Sequence, residues 1–160
     1  MLQRGNIRMA EIGLGKIGVF PEILTSIPEL VSDYWGIDPF SPSFATPNEE
    51  KRYKDKGDFF YLKACKSMLQ YPQLHIVRAA SPEVATIFPD EFFDLVFIDA
   101  GHSYDAVMAD IIAWLPLVKP HGFLTGHDYF HQEPGVVDAV NEFFGVNFIL
   151  VKRVWIYQKK

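Results

Sequence analysis

Six residues constrain the fold of this chain most: Phe93-Asp94-Leu95-Val96-Phe97-Ile98, apolar apart from one aspartate. A strand with one wet face alternates apolar and polar side chains, and this run does not. It reads as a strand covered on both faces, the place of a central strand in a parallel sheet. Such a sheet needs helices above and below, and the rest of the chain supplies them in alternation with short apolar runs. Ile7–Ile12 reads as a strand. A helix follows around 21–26, with Pro21 in its first turn and Pro28 ending it. Tyr34-Trp35-Gly36-Ile37-Asp38 is a second strand and 74–78 a third. Pro39, Pro42 and Pro47 mark a loop.

Residues 48–71 begin charged and become amphipathic, with Phe59, Leu62, Cys65 and Leu69 at helical spacing. Phe59, Phe60 and Tyr61 are therefore expected in the core, with the floor of an acceptor pocket as the alternative, and Cys65 is expected in the core and not as a nucleophile. Ser81-Pro82-Glu83 has the cap, first-turn proline and early acid of a helix start. Val107, Ile111, Trp114, Leu115 and Val118 line one face of a further helix. Lys119-Pro120-His121-Gly122 turns the chain into a strand at 123–126, and a helix opening near Pro134 gathers Val136, Val140, Phe143 and Phe144. The runs 147–151 and 154–158 form a tight antiparallel pair around Lys152-Arg153. This alternation predicts an α/β doubly wound sheet, whose ligands bind beyond the carboxyl ends of the strands.

Composition narrows the function classes. With 160 residues the chain has room for one domain, 1–160. A net charge of −5 argues against nucleic-acid backbone binding, so Lys51-Arg52-Tyr53-Lys54 is read as a solvated face. One cysteine forms neither an intrachain disulfide nor a multi-cysteine zinc site, which fits the cytoplasm. No apolar run is long enough for a membrane span.

The chemistry collects where strands end. Glu11-Ile-Gly-Leu-Gly-Lys-Ile-Gly18 follows the first strand, where glycines permit a tight turn and the next helix presents free N–H groups. This predicts a nucleotide-like ligand; the plainer reading is a glycine-rich turn. Asp38 ends the second strand, where a carboxylate can accept from both ribose hydroxyls; the plainer reading is a turn aspartate before Pro39. Asp99 closes the fourth strand, His102 follows three residues on, and Asp128 closes the fifth beside His127. Adjacent parallel strands bring both aspartates to one edge. Two carboxylates and an imidazole can hold a hard divalent ion, and the imidazole can serve as a base. The plainer reading gives Asp99 a loop anchor, His102 a helix start and Asp128 bonds to backbone amides. His75 and His131 lack partners at any ligand spacing.

The segments EIGLGKIG, GIDPF, FDLVFIDAGHSYDAV, LPLVKPHGFLTGHDY and GVVDAVNEFFG resemble class I S-adenosylmethionine-dependent methyltransferases. They are most similar to small-molecule and sugar O-methyltransferases of the methyltransferase domain 24 type. The resemblance implies a Rossmann-like, mostly parallel seven-stranded sheet in the order 3-2-1-4-5-7-6, its last strand antiparallel. It implies a cofactor site of Glu11, Gly13 and Gly15 at the methionine end, Asp38 on the ribose, Ala80 and Ser81 beside the adenine, and Asp99. It further implies Mg²⁺ or Mn²⁺ on Asp99 and Asp128 with His127 as a further candidate, and His102 as base. His121 stands where a glycine is usual, and His127 replaces an acid. The chain starts almost at its first strand, without an N-terminal cap, so a lid is expected from 39–60 or from the partner in a homodimer. The expected activity is O-methylation of a small hydroxylated acceptor. An NAD-dependent oxidoreductase and a cofactor-binding scaffold without turnover are the alternatives.

Overall fold

A computed structural model describes residues 5–41, 54 and 56–160; the expectations placed on 42–53 and 55 lie outside the described residues. In chain order the elements are β1 (Ile7–Ile12), α1 (Phe20–Ser26), β2 (Val31–Ile37), α2 (Gly57–Ser67), β3 (Leu74–Val77) and α3 (Ser81–Ala85). They continue with β4 (Phe93–Ile98), α4 (Tyr104–Trp114), a 3₁₀ turn (Leu115–Leu117), β5 (Val118–Gly126), α5 (Pro134–Phe144), β6 (Ile149–Val151) and β7 (Val154–Gln158). The sheet has seven strands in the order β3-β2-β1-β4-β5-β7-β6. β3, β2, β1, β4 and β5 run parallel, and β7 is antiparallel to both β5 and β6. This is the order and direction that the resemblance implies.

Strand periodicity divides the core between the two faces. Ala10 and Ile12 of β1 pack with Val96, Ile98, Ile111, Trp114 and Val140, the side covered by α3, α4 and α5. Met9 points the other way, among Phe20, Leu24, Phe60 and Ala64 of α1 and α2. β4 is buried on both sides, as its composition requires; burying Phe93 or Val96 fully stabilises by about 1.5–3 kcal/mol each. Its one charged residue, Asp94, sits at the strand's entrance, accepting from the Arg8 amide at 2.9 Å and Lys119 Nζ at 2.7 Å.

Four expectations need correction. α2 buries Phe60 and Ala64, whereas Phe59 and Leu69 are 63% and 89% exposed and Cys65 is only half-buried. Four consecutive apolar residues, Phe59 to Leu62, leave the helix's inward face ambiguous from spacing alone. Val118 does not extend the helical stripe: Pro116 tightens the chain into the 3₁₀ turn, and Val118 opens β5 opposite Phe93. The segment 119–122 is correspondingly part of β5 and not a free turn. His121 donates its amide to the Lys159 carbonyl and the Gly122 carbonyl accepts from the Lys159 amide, both at 2.9 Å. His121 adopts a φ of 64°, the left-handed conformation that explains why glycine is the usual residue there. Lastly, Ser81 caps nothing, because the N-cap of α3 is Ala80 and the serine hydroxyl is engaged elsewhere.

Among the described residues, no helix is long and apolar enough to cross a membrane.

Candidate active site

Register brings the strand exits level. Ile12 pairs with Ile37 on one side and Ile98 on the other, and Ile98 pairs with Gly126. The next residue on each strand is therefore Asp38, Gly13, Asp99 or His127, all at the carboxyl edge. A cavity of about 880 Å³ opens there, lined by residues 11–19, Asp38, Ala80, Ser81, Asp99, His102, Asp110 and Asp128 among others. That volume suits a drug-sized ligand.

Glu11 forms the inner wall and is 1% exposed. Oε1 accepts from the Val19 amide at 2.6 Å, at the entry to α1, and Oε2 accepts from the Tyr34 hydroxyl at 2.9 Å. Burial nevertheless pushes its carboxyl up to about 8, hydrogen bonds from Val19, Tyr34 and Phe20 pulling downward and the Asp99 charge adding to the rise. Among the described residues no cationic side chain pairs with it. Gly13, at a φ of 90°, passes so close to β4 that a Cβ would lie 2.2 Å from the Asp99 carbonyl oxygen. Its first role is thus to let two loops touch. Gly18 performs the same service for the Glu11 carboxylate, which a Cβ there would approach to 2.7 Å.

Asp38 is buried, and the backbone already uses much of it. Oδ2 accepts from the Leu14 and Gly15 amides at 2.9 Å each, and Oδ1 accepts from the Phe40 amide at 2.5 Å. Burial raises this carboxyl and the three amides lower it. Since each oxygen has two lone pairs, Oδ1 keeps one acceptor position for a ligand hydroxyl. Ser81 lies in the cavity wall with its hydroxyl donating to Asp110 Oδ1 at 2.6 Å and accepting from Trp114 Nε1 at 2.7 Å.

Asp99, His102 and Asp128 each offer a ligand atom within 4.8 Å of the others. Asp128 takes a φ of 58°, a conformation that aspartate tolerates better than most residues and that turns its carboxylate between two imidazoles. His102 Nε2 lies 3.1 Å from Asp128 Oδ2, and His127 Nδ1 lies 3.0 Å from Asp128 Oδ1. The cluster within 4.8 Å thus takes in His102, while His127 stands against the other oxygen of Asp128. Sequence reading did not find Glu133, whose Oε2 stands 3.5 Å from the other nitrogen of His102, nor Asp110. Ser103 caps α4 by accepting from the Ala106 amide at 3.3 Å, so His102 is not needed for the helix start.

The sheet order and its carboxyl-edge cavity are those of the Rossmann-like fold that S-adenosylmethionine-dependent methyltransferases share. A family model described as a methyltransferase domain matches residues 32–129, more than half of the chain, and the protein belongs to that family. Among solved structures, the fold is similar to a Corynebacterium glutamicum protein at 15% identity and a TM-score of 0.63, covering 98% of this chain and 74% of the other. It is similar to the O-methyltransferase NovP at 16% identity and a TM-score of 0.66, over 98% of this chain and 73% of that one. It also matches the MycE methyltransferase of the mycinamycin biosynthetic pathway, solved with Mg and S-adenosylhomocysteine, at 13% identity and a TM-score of 0.60. There the alignment covers 99% of this chain but 46% of MycE, so this chain spans under half of that protein's length. No curated protein matches the sequence. The family match decides against the hydride-transfer alternative.

The residues present fit the cofactor. S-adenosylmethionine carries a sulfonium and an ammonium, and Glu11, which pairs with no cation among the described residues, faces the cavity. Asp99 and Asp128 supply oxygen donors suited to a hard divalent ion.

Proposed function

We propose that this domain transfers a methyl group from S-adenosylmethionine to a hydroxyl oxygen of a small acceptor of the sugar or natural-product kind. The observation that carries the reading is the convergence of Asp99, His102 and Asp128 in the cavity that Glu11 and the glycine loop also line. In this reading Glu11, Gly13 and Gly15 hold the methionine end, Asp38 accepts from a ribose hydroxyl, and Ala80 and Ser81 lie beside the adenine. When bound, the cofactor supplies a methyl carbon whose bond to sulfur breaks, electrons going to sulfur, as its bond to oxygen forms.

The protein's share of the work is alignment and deprotonation. His102 serves as the base in this reading, with Nε2 facing Asp128 and Nδ1 facing Glu133. Glu133 at the opposite nitrogen and Asp128 together fix the plane of the ring. A divalent ion, Mg²⁺ or Mn²⁺, would be held by Asp99 and Asp128 and would acidify the acceptor hydroxyl. The protein acts as a homodimer in this reading: β6 is an edge strand whose three residues, Ile149, Leu150 and Val151, are all exposed.

A methyl-transfer screen over sugars, catechols and carboxylates tests the assignment, with His102→Ala as the decisive variant. Loss of turnover by about 10²–10⁴-fold with S-adenosylhomocysteine affinity intact is expected. Full activity of the variant on the acceptor found would refute the base assignment. Turnover on no acceptor, with the cofactor bound, would favour a scaffold.

A further inference from the structure

Arg153 has no task in the mechanism above, yet the fold sets it beside the reacting groups. β7 runs antiparallel to β5, so the two-residue turn Lys152-Arg153 between β6 and β7 lies at the carboxyl edge, next to the β5 exit. The Tyr129 amide donates to the Arg153 carbonyl at 3.0 Å, which ties this turn to the residue that follows Asp128. The side chain folds over the same loop, its guanidinium carbon 4.2 Å from the centre of the Phe130 ring. An aromatic face attracts the cation without being one of the oxygen acceptors that its five N–H donors seek. Phe130 is half-buried and Arg153 exposed, so the side chain is anchored on a ring and still open to a ligand. The loop's own carboxylates do not claim it. Asp128 turns its two oxygens to His102 and His127, Glu133 faces His102, and among the described residues no acid pairs with Arg153. The chain as a whole carries −5, a field that repels anions. A neutral acceptor would gain little from a held, unpaired guanidinium here, whereas an anionic one would need it.

On the methyl-transfer reading proposed above, on which this inference rests, the acceptor hydroxyl lies at His102 and Asp128. We propose that Arg153 binds a carboxylate or phosphate on the acceptor, so that the substrate is a small hydroxylated molecule bearing an anionic group. The planar fork of a guanidinium matches two oxygens of either group, which a lysine's point charge does not.

Methyl transfer by the full chain to matched acceptors tests this: glucose against glucuronate and glucose 6-phosphate, and catechol against 3,4-dihydroxybenzoate. An anionic member should be favoured in kcat/KM by at least about tenfold. Preference for glucuronate or dihydroxybenzoate assigns a carboxylate, and preference for glucose 6-phosphate a phosphate. Arg153→Ala should raise KM for the anionic member by on the order of 10- to 100-fold, with kcat, S-adenosylhomocysteine affinity and the use of any neutral member unchanged. Arg153→Lys should recover only part of that loss, and Lys152→Ala, which removes the neighbouring charge of the same turn, should behave as the parent. Equal use of neutral and anionic members by the parent overturns the inference and leaves methyl transfer intact. So does an equal loss on both members in Arg153→Ala, or a loss as large in Lys152→Ala. If no member is turned over, binding to the protein saturated with S-adenosylhomocysteine, followed by NMR, is read in place of KM. The same ratios are expected, and failure of every anionic member to bind overturns the inference. Absence of both turnover and S-adenosylhomocysteine binding overturns the methyl-transfer reading with it.

Discussion

Replacing Glu11 by glutamine should abolish a pH dependence of stability that is built into the inner wall of the cavity. The carboxyl, ordinarily near 4.5, is pushed up to about 8, chiefly by burial. The folded chain therefore keeps a proton over a range in which the unfolded chain has lost it. Stability from this group is greatest below about pH 4.5, falls as pH climbs toward 8 and is level above that. At about 1.36 kcal/mol per pH unit, the fall amounts to on the order of 5 kcal/mol. Glutamine removes the titration but gives up one acceptor, toward either the Val19 amide or the Tyr34 hydroxyl, at a cost of about 1–2 kcal/mol. Glu11→Gln should thus be about 1–2 kcal/mol less stable than the parent near pH 4.5 and about 3 kcal/mol more stable near pH 9. Urea unfolding at about pH 5, 7 and 9, with the slope m unchanged, reads the difference from the midpoints. Parallel stability curves for the two proteins across this range would refute the reasoning.

Three further outcomes are expected. Gly13→Ala would drive a methyl group against the Asp99 carbonyl at a φ of 90°, so urea unfolding should show a loss of at least about 2 kcal/mol and S-adenosylhomocysteine binding should weaken with it. If an ion is used, Asp128→Asn and chelation of the parent enzyme should each suppress turnover, and added Mg²⁺ or Mn²⁺ should restore the chelated parent; activity indifferent to chelator removes the ion and leaves the base. Light scattering should return twice the chain mass, and a monomer mass at high protein concentration would remove the homodimer.

Sequence and structure agree best where one residue has one possible environment. The double burial of β4 and the acids at the ends of β2, β4 and β5 follow from strand composition, and the register then carries Asp38, Asp99 and Asp128 to one edge. The inward face of α2 was not legible, because apolar residues on neighbouring positions support two rotations of the helix and only packing selects Phe60 over Phe59. The length of β5 was hidden in 119–122, whose turn-forming residues are drawn into the sheet by hydrogen bonds from a strand more than thirty residues away. Asp110 did carry a signal: a carboxylate between Val107, Ile111 and Trp114 on an otherwise apolar stripe needs a buried partner. Glu133 carried none, since nothing in a loop acid before Pro134 points to an imidazole on another segment.

At the carboxyl edge the loops do not simply leave the sheet. Asp38 donates its amide to Val77, Gly13 to Ile37, Asp99 to Ile12 and His127 to Ile98, so that each loop's first residue is tied to the last residue of the neighbouring strand. Four protons thus belong to loop residues by position and to the sheet by bonding. In deuterated solvent they should exchange as slowly as those in the middle of β1 and β4, through opening of the whole domain and not of the loops. The floor beneath the reacting groups is then set by global stability. Whatever moves during a catalytic cycle has to be found above it.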